Sequence, residues 1–119
     1  MCFNYALSVD AQKLKNRFQA DLDSAREAES FAGVYHANGF TFPRMPVVTG
    51  GDIHRIRFMS WGLVPYWVKS DEDALKLRRM TLNARSETVF EKPSFRGSIR
   101  EKRCLVPADG FFEWMSVRG

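Results

Sequence analysis

Cys2 directly follows the initiator methionine, a position open to unusual chemistry. Methionine before a small residue is normally clipped. Removal of Met1 leaves Cys2 with a free α-amine and a thiol on adjacent carbons. An α-amine titrates near 7.7–8.0, so about a tenth or more is neutral at physiological pH. A neutral amine attacks an aldehyde to give a Schiff base, and the neighbouring thiol can then close a thiazolidine ring. The alternative reading is a small apolar side chain tucked under the first strand.

A second candidate is Asp109-Gly110-Phe111-Phe112-Glu113-Trp114. Strand alternation would put Phe111, Glu113 and Met115 on one face and Phe112 and Trp114 on the other. A carboxylate on a half-buried aromatic face is desolvated, which raises its pKa toward the range useful for general acid–base work. The alternative is a strand whose Glu113 points to water.

A third is Thr81-Leu82-Asn83-Ala84-Arg85-Ser86-Glu87-Thr88. Asn83 could hold a substrate hydroxyl or carbonyl, and Arg85 could pair with a phosphate. Arg78, Arg79, Lys92, Arg96 and Arg100 could extend a basic surface, and Trp61, Tyr66 and Trp67 could stack on unpaired bases. A helix cap, a solvated charged face and core aromatics would account for the same residues. His36 and His54 have no metal-ligand spacing with each other or with Cys2 and Cys104. No phosphate-binding glycine loop and no GxSxG elbow occurs.

Several elements must position these residues. Cys2 to Val9 is too apolar for a loose tail. Ala11, Leu14, Phe18 and Leu22 recur at helical spacing behind an N-cap at Asp10 or Ser8. The stretch 21–30 reads as charged and exposed, and 31–46 as irregular, broken by Gly39, Pro43 and Pro46. Gly50-Gly51 suggests a hairpin between 46–49 and 53–61, with Ile56 and Phe58 alternating against Arg55, Arg57 and Met59. Ser70 with Asp73 resembles a capping box that opens a helix through Arg79. Asp109-Gly110 predicts a hairpin between 104–108 and 111–115. The fold class expected is α+β with more strand than helix.

The chain has 119 residues, 45% hydrophobic and 27% charged, which reads as one ordinary globular domain. Lys and Arg number 18 against 14 Asp and Glu, a net charge of +4 that permits a nucleic-acid partner without demanding one. No run is long enough for a membrane span, and the first residues lack a signal-peptide pattern. Two widely separated cysteines fit a reducing cytoplasm. The final apolar run ends in Val117-Arg118-Gly119 like a strand entering a turn, which predicts a partner strand beyond Gly119 and an incomplete domain.

Met1-Cys2, Trp61-Gly62-Leu63-Val64-Pro65-Tyr66-Trp67, Asn83-Ala84-Arg85-Ser86-Glu87-Thr88 and Ala108-Asp109-Gly110-Phe111-Phe112-Glu113-Trp114 occur in one order along the chain. Together they resemble the SOS response-associated peptidase (SRAP) family, whose members shield abasic sites in single-stranded DNA. The resemblance implies that residues 1–119 are the N-terminal part of a single SRAP domain, β-rich with a barrel-like core, short peripheral helices and a positively charged groove. It implies a thiazolidine crosslink from Cys2 to the ring-opened abasic sugar, a lyase-like chemistry. Asn83 would position Cys2 and the sugar, and Glu113 would shuttle protons. Arg85 would grip a phosphate, and Trp67 would line the DNA channel beside Tyr66 and Trp61.

No metal, no cofactor and no membrane partner are expected. The expected state is a monomer in the cytoplasm, nucleoid-associated when bound to DNA. The alternatives are a non-covalent single-strand-binding fragment and a cysteine-type autopeptidase that removes residues ahead of Cys2. Two positions depart from the family pattern. Phe3 and Asn4 stand where many relatives have Gly-Arg, and the family's catalytic His falls in a segment beyond residue 119. Neither His36 nor His54 takes that role.

Overall fold

A computed structural model describes residues 2–117. Two antiparallel-rich sheets share one apolar core. The first has three strands in the order β3-β1-β7: β3 (Val34–Asn38), β1 (Asn4–Leu7) and β7 (Gly110–Phe111). The second has four in the order β2-β5-β4-β6: β2 (Asp21–Leu22), β5 (Arg55–Ser60), β4 (Arg44–Thr49) and β6 (Cys104–Leu105). Short helices lie around them: α1 (Ala11–Phe18), α2 (Ala25–Ser30), α3 (Asp71–Met80) and α4 (Arg96–Glu101). This is the expected α+β class. The described residues form two separate sheets rather than a closed barrel.

Local signals place two of the four α-helices. Asp10 caps α1, its Oδ1 accepting from the Lys13 N–H at 2.9 Å. Gln19 ends that helix in the left-handed region at φ 51°, so Leu22, expected on the same helix, lies on β2 instead. Ser70 caps α3 by accepting from the Asp73 N–H at 3.1 Å, as the capping-box pattern predicts. The β4–β5 hairpin forms across Gly50-Gly51, with Val48 opposite Ile56 and Pro46 opposite Phe58. Ile56 and Phe58 are buried, while Arg55 and Met59 are exposed. The core gathers Tyr5, Leu7, Leu14, Ala20, Ala37, Met45, Val48 and Ile56 from both sheets and α1.

Three expectations change. The stretch 31–46 is not irregular: β3 forms within it and pairs antiparallel with β1, Tyr5 opposite Ala37. Its strand character comes from a partner some thirty residues earlier, which no local signal announces. Gly33, at φ +94°, lets the chain approach the Ser8 backbone more closely than a Cβ would allow.

Asp109-Gly110 does not turn a hairpin. β6 pairs with β4 in one sheet, and β7 pairs with β1 in the other. The chain crosses between sheets here because the Asp109 N–H donates to Ala6 O at 2.8 Å and its carboxylate accepts from the Ser8 backbone and hydroxyl. The strand expected over 111–115 also ends at Phe111. Residues 112–117 are exposed, Trp114 fully, so Glu113 lacks the half-buried strand face that alternation assigns to it.

Candidate active site around Cys2

Cys2 is half-buried where the chain enters β1, the middle strand of its sheet. Its thiol donates to Asn4 O at 3.1 Å, and it forms no disulfide. Phe3 fixes the approach to β1. Its carbonyl accepts from the Gly39 N–H at 2.8 Å, and its ring lies 5.0 Å from that of Phe40. The S–H contact restrains the one torsion that relates thiol to α-amine.

The same Asn4 oxygen accepts a second hydrogen bond, from the Phe112 N–H at 3.0 Å. One carbonyl thus joins Cys2 to the residue that precedes Glu113. Glu113 itself is exposed. The segment is held upstream by β7 and by Asp109, whose carboxyl the Ser8 hydroxyl and N–H hold below the usual carboxylate range.

The Asn83 segment is connected to β1 by a different route. Thr81 and Leu82 are buried after α3. The Thr81 hydroxyl donates to Leu63 O at 2.7 Å, and the Trp61 Nε1–H donates to Leu82 O at 2.8 Å. Trp61 in turn meets Tyr5 edge-on, with ring centroids 5.5 Å apart. Its ring occupies the space a side chain at Gly39 would fill, with a Cβ there meeting it at 3.2 Å. The contacts Tyr5–Trp61–Leu82 therefore tie the Asn83 segment to the strand that follows Cys2. The Asn83 Nδ2 is buried and has no hydrogen-bond partner among the described residues. A buried donor in that state has an acceptor still to meet. The Tyr5 hydroxyl shares that condition, and its pKa is pushed up to about 12 by burial first and by the Cys104 charge second. It stays a neutral phenol.

Tyr66 and Trp67 are exposed in the loop before α3. They line a groove of about 930 Å³ together with Arg57, Arg96, Lys102 and Arg103. The groove's acids are Asp52 and Glu101, so its balance is basic. Neither Cys2 nor Asn83 lines it. Arg85 is exposed, in a turn closed by the Thr88 N–H on Arg85 O at 3.2 Å. Trp61, expected among the stacking aromatics, is half-buried with its N–H engaged. Of the expected site residues, contacts therefore link Cys2 to the Glu113 segment and, through Trp61, to the Asn83 segment, while Tyr66 and Trp67 belong to the groove.

Sequence reasoning weighed His36 only as a metal ligand and as the family's catalytic His, assigning it neither role, and gave Asn4 no contacts. The Nε2 of His36 is 2.8 Å from Asn4 Oδ1, and its ring lies 5.4 Å from that of Phe112. The contact depends on the β1–β3 register, which has no marker in the sequence.

The family described as SOS response associated peptidase (SRAP) matches residues 1–119. Abasic site processing protein YoqW of Bacillus subtilis is 40% identical over 85 residues, covering 69% of this chain and 36% of that protein. Abasic site processing protein HMCES of Rattus norvegicus is 48% identical over 62 residues, covering 51% of this chain and 17% of that protein. A crystal structure of a protein from Bacteroides thetaiotaomicron superposes with a TM-score of 0.89 at 44% identity, over 98% of this chain and 50% of that one. The chain thus spans half or less of the length of each of these relatives.

Proposed function

The chain belongs to the SRAP family, and from that premise we propose that it captures abasic sites in single-stranded DNA through a covalent bond to Cys2. The observation that carries this reading is the shared acceptor Asn4 O, which takes both the Cys2 thiol and the Phe112 N–H. It brings the nucleophile and the Glu113 segment to one end of one strand. The names of the relatives, abasic site processing proteins, point to the same lesion.

The steps follow from the groups present. Once Met1 is removed, the neutral α-amine of Cys2 attacks the aldehyde carbon of the ring-opened sugar. The carbinolamine loses water to give an imine. The thiol sulfur then adds to the imine carbon, and the thiol proton passes to the nitrogen. Aldehyde and aminothiol thus give a thiazolidine and one water, with no oxidant or metal in the balance. Glu113 would carry the protons on and off oxygen. The buried Asn83 amide would donate to the sugar hydroxyl or the aldehyde oxygen. Trp67 and Tyr66 would stack on bases, and Arg85 would hold a phosphate.

A heat- and detergent-stable band between the protein and a single-stranded abasic oligonucleotide, lost in Cys2→Ala, tests this. A second reading, non-covalent single-strand binding, is favoured by the groove's separation from Cys2 and Asn83. It predicts salt-sensitive binding without that band.

A further inference from the structure

Asn4 engages neighbours with both of its oxygens. Its main-chain oxygen takes the Cys2 thiol and the Phe112 N–H. Its side-chain Oδ1 lies 2.8 Å from His36 Nε2. A carbonyl oxygen only accepts, so the His36 Nε2 carries the hydrogen and donates it. The His36 ring also meets the Phe112 ring edge-on, at 5.4 Å and 71°. One imidazole on β3 therefore touches β1 and the chain just beyond β7.

The β1–β7 pairing that carries the Cys2 and Glu113 segments is short. β7 is two residues long and meets β1 only at Tyr5 opposite Phe111 and Ala6 opposite Gly110. A ladder that short restrains poorly what lies beyond it. Cys2 leaves β1 at one end, and Glu113 leaves β7 at the same end.

We propose that His36 is a positioning residue for the Cys2 reaction, acting through Asn4 as a clasp that holds the Cys2 and Glu113 segments in register. It touches neither substrate nor reacting atom. The proposal rests on the covalent reading above and assigns a role to a residue outside the motifs that suggested that reading.

The test uses the full chain with Met1 removal verified by intact mass. Parent, His36→Ala and His36→Gln are compared in single-turnover crosslinking to an abasic oligonucleotide, each with and without Glu113→Gln. Glutamine can donate the same hydrogen bond to Asn4 Oδ1. Loss of the clasp misplaces groups on a scale that slows H36A about tenfold, with the half-saturating DNA concentration unchanged. H36Q should recover most of the rate, and Glu113→Gln should cost less in H36A than in the parent.

A parent-like rate for H36A, or equal slowing in H36A and H36Q, overturns the proposal. If the parent itself forms no crosslink, the covalent reading has failed. The clasp is then read from thiazolidine formation on Cys2 with acetaldehyde, followed by intact mass. A slow H36A with H36Q near the parent sustains it, and equal rates in all three overturn it.

Discussion

The Trp61 Nε1–H donates to Leu82 O at 2.8 Å, so the indole that opens the aromatic loop is fastened to the residue before Asn83. The other side of the same ring meets Tyr5 on β1. Trp61 therefore acts as a strut between the Cys2 strand and the Asn83 segment.

Trp61→Phe keeps a ring against Tyr5 but leaves Leu82 O without its donor. That loss should cost about 1 kcal/mol in urea unfolding. Crosslinking should slow, because Asn83 loses its fixed place. Binding of undamaged single strands should change little, since this ring is not free to stack. A large loss of single-strand affinity in W61F would return Trp61 to the stacking role.

Asn83→Ala should separate stability from activity. The buried Nδ2 has no partner among the described residues, so its removal deletes an unsatisfied donor and should leave the unfolding free energy within about 1 kcal/mol of the parent. Loss of a preorganised donor to substrate oxygen should slow crosslinking about tenfold or more. Clear destabilisation with an unchanged crosslinking rate would mean that the amide serves the fold.

Trp67 and Arg85 should weaken DNA binding in distinguishable ways, measured by anisotropy across a salt series in a Cys2→Ala background. Trp67→Ala should lose about 1–3 kcal/mol of stacking with the salt slope unchanged. Arg85→Ala should lower the slope by about 0.7, the value for one phosphate contact on a single strand. An unchanged slope in R85A would remove Arg85 from the phosphate contacts.

Asp109 should make the β7 connection sensitive to acid. Ser8 holds its carboxyl below the ordinary range in the native state, so the unfolded chain takes up the proton first as pH falls. The stabilisation is therefore fully present above the unfolded value of about 3.9 and is lost as pH drops through the depressed native value. Thermal unfolding midpoints of parent and Asp109→Asn should differ at neutral pH and converge in acid. A constant difference across that range would rule out the carboxylate as the source.

Much of the framework is legible locally. Asp10 and Ser70 cap their helices because a short polar side chain ahead of an amphipathic run satisfies free N–H groups. Gly50-Gly51 turns the β4–β5 hairpin, and Ile56 and Phe58 face the core as their spacing predicts. Asp109-Gly110 looked equally local and misled, because its carboxylate bonds to Ser8, 101 residues earlier, and the flanking strands join different sheets. The strand at 34–38 was hidden for the same kind of reason, since it exists by pairing with β1.

By itself, the sequence determined the aminothiol that Cys2 can offer, two helix caps, the central hairpin and four motifs that mark the family. Each rests on the identity of a residue or on spacings of a few positions, which chain chemistry decides without distant partners. Only the tertiary structure decided that Cys2 and the Glu113 segment share one carbonyl, that Trp61 braces Asn83, and that His36 closes on Asn4 and Phe112. Those contacts join residues tens of positions apart through strand register and ring packing, and neither is encoded at any single site along the chain.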